Sequence, residues 1–363
     1  MKSDSPHLLA YLNGASERET LLPILARIQA RGKARVSVLM PAGLGRRFYR
    51  GVSEVMGRGL FPRLCTRKRF YSGTTAQLQS VDAVLVVSDP RLDFTKHKER
   101  SELLQQLAVP TIFVQHGVIQ QGVNSDDGEV NQGYYSSLLL LWEKGNAEAR
   151  VLSASSLELS ASIGFPKTML ERRAPSTFGG GKWARLFQER LLLCWPPATR
   201  YKPRDEEVEA SLLLGLEDLL RSYPHSGVIV RTHRGQRVAH IEGELEALRS
   251  RHKNLLLSTK SSNGRASRWS MQDCLDYSTF VVAPPSTVLL DAAYQRLPIA
   301  LTHPVPGFFP EVPSLDSFDP ASVLSTDREH FVQASAALRD RYGDPQRNLE
   351  VASCKIEAML AGL

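Results

Sequence analysis

The sequence has few cysteines and no long apolar run. Its four cysteines lie far apart and form no CxxC pair, which argues against a zinc site and against a disulfide framework: Cys65, Cys194, Cys274 and Cys354. Every apolar stretch is far shorter than the roughly 20 residues that a helix needs to span a bilayer. Low-complexity tracts and long blocks of like charge are absent as well. These absences favour a folded cytoplasmic protein over a membrane protein, a secreted scaffold or a disordered chain.

The charge balance is basic, with 45 Lys and Arg against 38 Asp and Glu, a net charge of +7 and a pI near 9.3. This surplus predicts an anionic partner. The basic stretches at residues 45–50 and 63–69 are short and lack the interleaved aromatics of an RNA-binding surface, so we do not expect nucleic acid as the partner. Phosphorylated metabolites and an anionic membrane face remain possible partners. Alternatively, each basic stretch is solvated surface charge without a specific partner.

Short apolar runs alternate with helical patterns along both halves of the 363-residue chain. This alternation predicts an α/β fold with two Rossmann-like domains facing each other across a cleft. We expect an N-terminal acceptor-side domain at 1–167, a linker at 168–188, a C-terminal nucleotide-donor domain at 189–345, and a C-terminal helix at 346–363 that packs across the domains. Open α/β sheets bind ligands beyond the carboxyl ends of their strands, so function is sought in the strand-to-helix turns.

One such turn follows the apolar run FVVA in the second domain. Ser286 and Thr287 stand at the predicted start of a helix, where unpaired N–H groups and the helix dipole favour an anion such as phosphate. A plain helix cap is the alternative, because Ser and Thr are common at this position. Asp291, one turn later, is either an acceptor for ribose hydroxyls or a solvated helix acid.

A second turn follows the apolar run VIV. It carries Arg231, His233 and Arg234 directly before Gly235, so two guanidiniums and an imidazole come at the end of one strand. Guanidinium groups suit bidentate recognition of phosphate. This cluster is harder to explain by packing than a single cation would be, and it predicts a second part of the phosphate site.

The first domain offers three candidates for a general base. His116 ends the run FVQ just before Gly117, Asp89 follows the run AVLVVS, and Glu17 follows the first strand. Each has a structural alternative: a histidine packed at a strand end, an aspartate that caps an Asp-Pro turn, and a glutamate in the first turn of a helix, where acids are favoured.

Taken together, the motifs QHG, WEKGN…SIGFPK, LLLCWPPATRYK, RTHRG and PPSTVLLDAAYQRLPI form a pattern. From about residue 80 to 302 the chain resembles GT-B transferases of bacterial surface polymers. It is most similar to the CDP-glycerol glycerophosphotransferases and to the capsule and lipopolysaccharide Kdo transferases that use CMP-Kdo. The resemblance implies that Ser286, Thr287 and His233 contact the donor phosphate, that Asp291 suits the nucleotide ribose, and that His116 faces the reacting centre.

Two departures from that pattern bear on the substrate. Arg234 stands where the group usually has proline, and Val118 stands where the glycerophosphotransferases have threonine. These departures favour a sugar donor. We therefore predict a metal-independent glycosyltransferase without a cofactor, which moves a sugar from a CMP-linked, Kdo-like donor onto a surface polysaccharide or lipid-linked glycan.

Three alternatives stay open. They are a glycerophosphotransferase that uses CDP-glycerol, a nucleotide-sugar epimerase of the same fold, and a non-catalytic subunit that binds nucleotide or glycan. The predicted location is the cytoplasm, where the basic surface would hold the protein against anionic lipid at the inner membrane face.

Overall fold

The structure is a computed structural model that describes residues 5–43, 62–88, 96–120, 123, 133–143, 151–169, 171–175, 179–196, 206–232, 239–258, 269–315 and 328–363. The chain divides into two compact units. The first comprises Met1–Thr168 together with Tyr342–Leu363, and the second comprises Met169–Arg341. Each unit is built on a parallel sheet with helices between its strands, so the α/β class predicted from the alternating pattern is confirmed.

The first unit contains a seven-stranded sheet whose strand order is β3-β2-β1-β4-β5-β6-β7 and whose neighbours all pair in parallel. Its strands are β1 (His7–Tyr11), β2 (Arg35–Pro41), β3 (Arg63–Cys65), β4 (Ala83–Val86), β5 (Thr111–Val114), β6 (Leu138–Leu141) and β7 (Ser160–Ser162). Every residue of the central strands β1, β4 and β5 is buried, because helices cover both faces of a parallel sheet. The helices are α1 (Ala15–Ala30), α2 (Arg67–Ser72), α3 (Thr75–Leu78), α4 (Lys98–Gln106) and α5 (Ala154–Glu158).

The second unit contains a five-stranded parallel sheet in the order β10-β9-β8-β11-β12. Its strands are β8 (Arg190–Cys194), β9 (Gly227–Arg231), β10 (Leu255–Ser258), β11 (Phe280–Ala283) and β12 (Ile299–Leu301). Its helices are α6 (Gly179–Ala184), α7 (Glu206–Ser222), α8 (Ala239–Arg251), α9 (Met271–Tyr277), α10 (Thr287–Tyr294) and α11 (Glu329–Tyr342). Leucines of α7 and α8 pack on the sheet and form one apolar core with it.

The segment predicted as a linker is partly structured. It contains α6, and Arg172 and Arg173 donate hydrogen bonds to the Ser278 carbonyl and to Asp276 of the second unit. The Arg173 backbone N–H donates to the Asp276 carboxylate over 3.0 Å and its Nε donates over 2.7 Å. Because Asp276 is buried, this pairing holds the segment against α9. Composition alone did not reveal the pairing, since the partner lies about a hundred residues further along the chain.

The final helix, α12 (Pro345–Ala361), belongs to the first unit. It packs on α1, where Arg31 lies 3.1 Å from the buried carboxylate of Glu357. A second contact explains a glycine of the SIGFPK motif. Gly164 has φ +68°, and a Cβ on it would lie 2.3 Å from the side-chain amide of Asn348, so only glycine fits there.

The strand order reverses once in each sheet, between β1 and β4 in the first unit and between β8 and β11 in the second. Crevices form beyond the carboxyl ends of strands at such reversal points, and ligands bind there in open α/β sheets. Two predicted site residues follow strands at these points, Glu17 after β1 and Ser286 after β11. None of the helices in the described part of the chain is long and apolar enough to cross a membrane.

Candidate functional site

The turn after β11 leads directly into α10 at the reversal point of the second sheet. Ser286 is the N-cap residue, with an extended backbone of φ −161° and ψ 164°. The first backbone bond of the turn runs from the Leu289 N–H to the Ser286 carbonyl over 3.1 Å. Within the described residues, no carbonyl accepts from the N–H groups of Thr287 and Val288. The turn therefore presents two backbone donors and the positive end of a helix dipole.

The Ser286 hydroxyl does not cap its own helix. Its Oγ is buried and has no hydrogen-bond partner among the described residues. Ser270, the N-cap of α9, behaves in the ordinary way: its Oγ accepts from the Asp273 N–H over 3.0 Å, within a complete capping box. Buried hydroxyls are nearly always paired, so the Ser286 Oγ is an exception that calls for a partner from outside the described chain.

Arg231 ends β9 as predicted, but its guanidinium is engaged inside the unit. Its Nη1 donates to Ser258 Oγ over 3.0 Å and to the Trp269 carbonyl over 3.2 Å. The same nitrogen lies 3.3 Å from Cys274 Sγ. These contacts tie the ends of β9 and β10 to the start of α9, so Arg231 shapes the edge of the sheet.

Of the other residues predicted for the donor site, Asp291 lies in α10 and is buried, with 7% of its surface exposed. His233 and Arg234 lie outside the described residues. Trp195 belongs to the motif LLLCWPPATRYK, but no role was predicted for it; its indole N–H donates to Glu209 over 3.2 Å and holds the end of β8 against α7. The described part of the predicted donor site thus comprises Ser286, the first turn of α10 and the end of β8, which Trp195 holds against α7.

In the first unit, His116 is the second residue after β5, and its backbone is hydrogen-bonded. The His116 N–H donates to Gln120 Oε1 over 3.0 Å, and Gln120 Nε2 donates to the Val87 carbonyl over 2.9 Å. Gln120 thereby links the ends of β5 and the neighbouring strand β4. Gln115 links β5 to β6 in the same way, because its Oε1 accepts from the Trp142 N–H over 2.7 Å. The sequence analysis assigned neither glutamine a role, although Gln115 belongs to the QHG motif.

The His116 imidazole is poised as a neutral group. Burial lowers its pKa to about 4, against a smaller opposing effect of the Val87 backbone. Its Nδ1 is buried without a hydrogen-bond partner among the described residues. A neutral imidazole with an open nitrogen can accept a proton from a hydroxyl, or donate to an anion in its other tautomer.

Glu17 lies in the first turn of α1, and its carboxylate accepts from the backbone N–H of Asn13. Burial raises the pKa of this carboxyl to about 7, while the backbone bonds and the Arg100 guanidinium oppose that effect. A carboxyl with a pKa near neutrality is suited to general acid or base work. A structural cap of α1 would make the same hydrogen bond to Asn13. The structure therefore supports both interpretations of Glu17, as a general base and as an acid in the first turn of a helix.

Arg100, which the sequence did not single out, is the cation beside this end of β1. Its side chain is 1% exposed, its Nη1 donates to the Phe70 carbonyl over 3.3 Å, and its guanidinium carbon lies 4.2 Å from the centre of the Tyr11 ring. Burial and this cation together lower the pKa of His97 to about 3. The charge near Glu17 is therefore positive and fixed.

Asp89, the third predicted base, lies outside the described residues. Across the parts of the chain that the structure describes, no group of three or more His, Cys, Asp or Glu side chains is arranged to hold a metal ion. The described base candidates at the first sheet are therefore His116 and Glu17.

Known structures share this architecture at low sequence identity. S. aureus MnaA in a co-structure with UDP aligns with a TM-score of 0.63 at 12% identity, over 94% of each chain. The Methanocaldococcus jannaschii UDP-GlcNAc 2-epimerase in complex with UDP-GlcNAc and UDP gives 0.56 at 11% identity, over 96% of this chain and 99% of that one. A glycosyltransferase from Rickettsia africae gives 0.56 at 9% identity, over 99% of each chain. No protein-family model matches the sequence, and no curated protein matches it.

The chain has the GT-B-like fold. Two parallel sheets flanked by helices, with a C-terminal helix on the first unit, match these neighbours over nearly the whole length. The fold predicted from the motif pattern is thus confirmed. The nucleotides bound in the two complexes carry uracil, whereas the sequence pattern indicated a cytidine nucleotide, and that finer prediction stays a prediction.

Proposed function

We propose that this chain is a glycosyltransferase that binds the phosphate of a nucleotide-activated sugar at the start of α10. The observation that carries the proposal is the buried Ser286 Oγ, which lacks a partner in the described chain while two N–H groups beside it are open. A phosphate oxygen satisfies all three donors and is favoured by the helix dipole. Neighbours with this fold in complex with UDP and with UDP-GlcNAc support that ligand class.

The same donors serve the chemistry. When the bond between the anomeric carbon and the phosphate oxygen breaks, negative charge develops on that phosphate, and donors already aimed at it stabilise the transition state. In our proposal the acceptor hydroxyl attacks the anomeric carbon and its proton passes to a base of the first unit. His116 is the first candidate, because its imidazole is neutral at pH 7 and its Nδ1 is unpaired in the described chain. Glu17 is the second.

The donor class has two candidates. The motif pattern predicts a CMP-linked, Kdo-like sugar, and the neighbours with a named ligand favour a UDP-linked sugar. The acceptor that we propose is a surface polysaccharide or a lipid-linked glycan. Both donors place a phosphate next to the anomeric carbon, so the role given to Ser286 is the same for either.

A second candidate function is a nucleotide-sugar epimerase, favoured by the likeness to the M. jannaschii UDP-GlcNAc 2-epimerase. The two functions differ in what they need. Net sugar transfer needs an acceptor, whereas an epimerase changes the configuration of the sugar of its donor without one. The acceptor dependence of turnover therefore separates them.

The test is to incubate the full chain with UDP-linked and CMP-linked sugars, with and without a glycan acceptor, and to follow nucleotide release and the configuration of the sugar. We expect release that the acceptor accelerates and that Ser286→Ala slows. Ser270→Ala is the matched control, because that hydroxyl caps a helix of the same unit. An epimerised sugar formed without acceptor would assign the second function, and binding without turnover would contradict both.

A further inference from the structure

A basic surface lies on the edge strand of the first sheet and on the helix that follows it. β3 pairs on one side with β2 and is the last strand of the sheet at that end. We name this surface the basic edge and define it by five exposed residues: Arg63, Leu64, Arg67, Lys68 and Arg69. It is remote in sequence from the residues assigned to nucleotide binding, and the proposed function makes no use of it.

Local structure explains why these side chains point outward. Thr66 caps α2 by accepting from the Arg69 N–H over 3.3 Å, so the helix begins immediately after the strand. Phe70 supplies the buried anchor of α2 and contacts Tyr11 in an edge-on ring pair at 5.3 Å. The three cations before Phe70 are left on the solvent side. A span of seven residues covers at most about 20 Å, which concentrates four positive charges in a small area.

The charge of the basic edge is not neutralised from nearby. Between Val55 and Val81 the sequence contains no Asp or Glu. Within the described residues, none of the four cations makes an ion pair with a carboxylate. Exposed basic residues elsewhere are often paired, as Arg251 is with Glu217 at 2.7 Å. A charge on an edge strand prevents it from pairing with a strand of another molecule, and this explains Arg63 on β3. It does not explain the three further cations on α2.

Leu64 favours a bilayer among the anionic partners. It lies among the cations and is 45% exposed. Against a soluble polyanion an exposed leucine gains nothing. At a bilayer the cations meet lipid phosphates while the leucine enters the boundary between head groups and acyl chains. We propose that the basic edge docks on the surface of an anionic lipid bilayer.

The experiment is co-sedimentation of the full chain with vesicles of phosphatidylcholine alone, and of phosphatidylcholine and phosphatidylglycerol in equal parts. Each Lys or Arg near such a surface contributes about fivefold in partitioning, so Arg67→Gln with Lys68→Gln should weaken binding to the mixed vesicles about 30-fold. The matched control is Arg347→Gln with Lys355→Gln, which removes two exposed cations from α12 of the same unit. The control should bind like the unmodified chain.

Leu64→Ala separates a bilayer from other polyanions. It should weaken binding to the mixed vesicles at least about threefold while heparin binding is unchanged. The proposal is overturned if the unmodified chain does not bind the mixed vesicles, if both double variants lose binding equally, or if Leu64→Ala has no effect on vesicles. These measurements need no turnover, so they stand or fail separately from the proposed enzyme function.

Discussion

Replacing Glu17 by glutamine should stabilise the protein at alkaline pH. Its carboxyl has an ordinary pKa of 4.5 in the unfolded chain, and burial raises that pKa to about 7 in the folded one. Between these values the native state holds a proton that the unfolded chain has released. Stability therefore falls as the pH rises from 4.5 through 7, and the whole cost of the buried carboxylate is present at pH 8.

The difference between the two pKa values corresponds to about 3 kcal/mol at most. Glutamine keeps an oxygen that can accept from the Asn13 N–H, although an uncharged acceptor bonds less strongly than a carboxylate. We therefore expect Glu17→Gln to raise the free energy of unfolding by about 1–2 kcal/mol at pH 8 and to change it little near pH 4.5. Urea denaturation at pH 8 and at pH 4.5 measures the change in the free energy of unfolding at each pH.

Glu99→Gln is the matched control, because Glu99 is also an acid in the first turn of a helix of this unit but is exposed. Loss of its favourable interaction with the helix dipole should lower stability by a few tenths of a kcal/mol. Glu17→Gln could instead be as stable as the unmodified chain at pH 8, or less stable. In that case Arg100 and the backbone hydrogen bonds offset the cost of burying the Glu17 carboxylate. Glu17 would then be a structural cap and no candidate base.

Three further results are expected. Gly164→Ala should cost more than about 1 kcal/mol of stability in thermal or urea unfolding, whereas Gly243→Ala, in a helix with open space around it, should gain up to about 1 kcal/mol. Arg231→Gln should destabilise the chain by about 2 kcal/mol through its lost buried contacts, and unchanged unfolding would contradict that role. If His116 is the base, the acid limb of kcat/KM should fall near pH 4, and a limb near pH 7 would assign Glu17 instead.

Sequence periodicity predicted the long helices well, because each carries a complete apolar stripe. Sequence periodicity predicts one helix from about residue 206 to 222 and another from about residue 239 to 251, and α7 and α8 have these bounds. The short edge strands β3 and β7 were missed. Each has three residues and carries polar or charged side chains, so neither contains the apolar run from which a strand is recognised.

The candidate site shows what a strand-end motif can and cannot predict. The position of Ser286 at a helix start follows from local sequence, and the structure has it there. The direction of a side chain depends on residues distant in the chain. Arg231 is aimed at Ser258 and at the start of α9, because a buried guanidinium must find partners, and no pattern around residue 231 identifies them.

Ser286 is the proposed contact of a nucleotide phosphate at the start of α10. The most direct test is calorimetric titration of UDP and CMP into the unmodified chain and into Ser286→Ala and Ser270→Ala. A hydrogen bond to a charged group contributes about 1.5–3 kcal/mol, so Ser286→Ala should bind at least about tenfold more weakly while its unfolding is nearly unchanged. Ser270→Ala should keep its affinity and lose about 1 kcal/mol of stability. Unchanged affinity in Ser286→Ala, or no binding of either nucleotide to the unmodified chain, would rule out this role of Ser286.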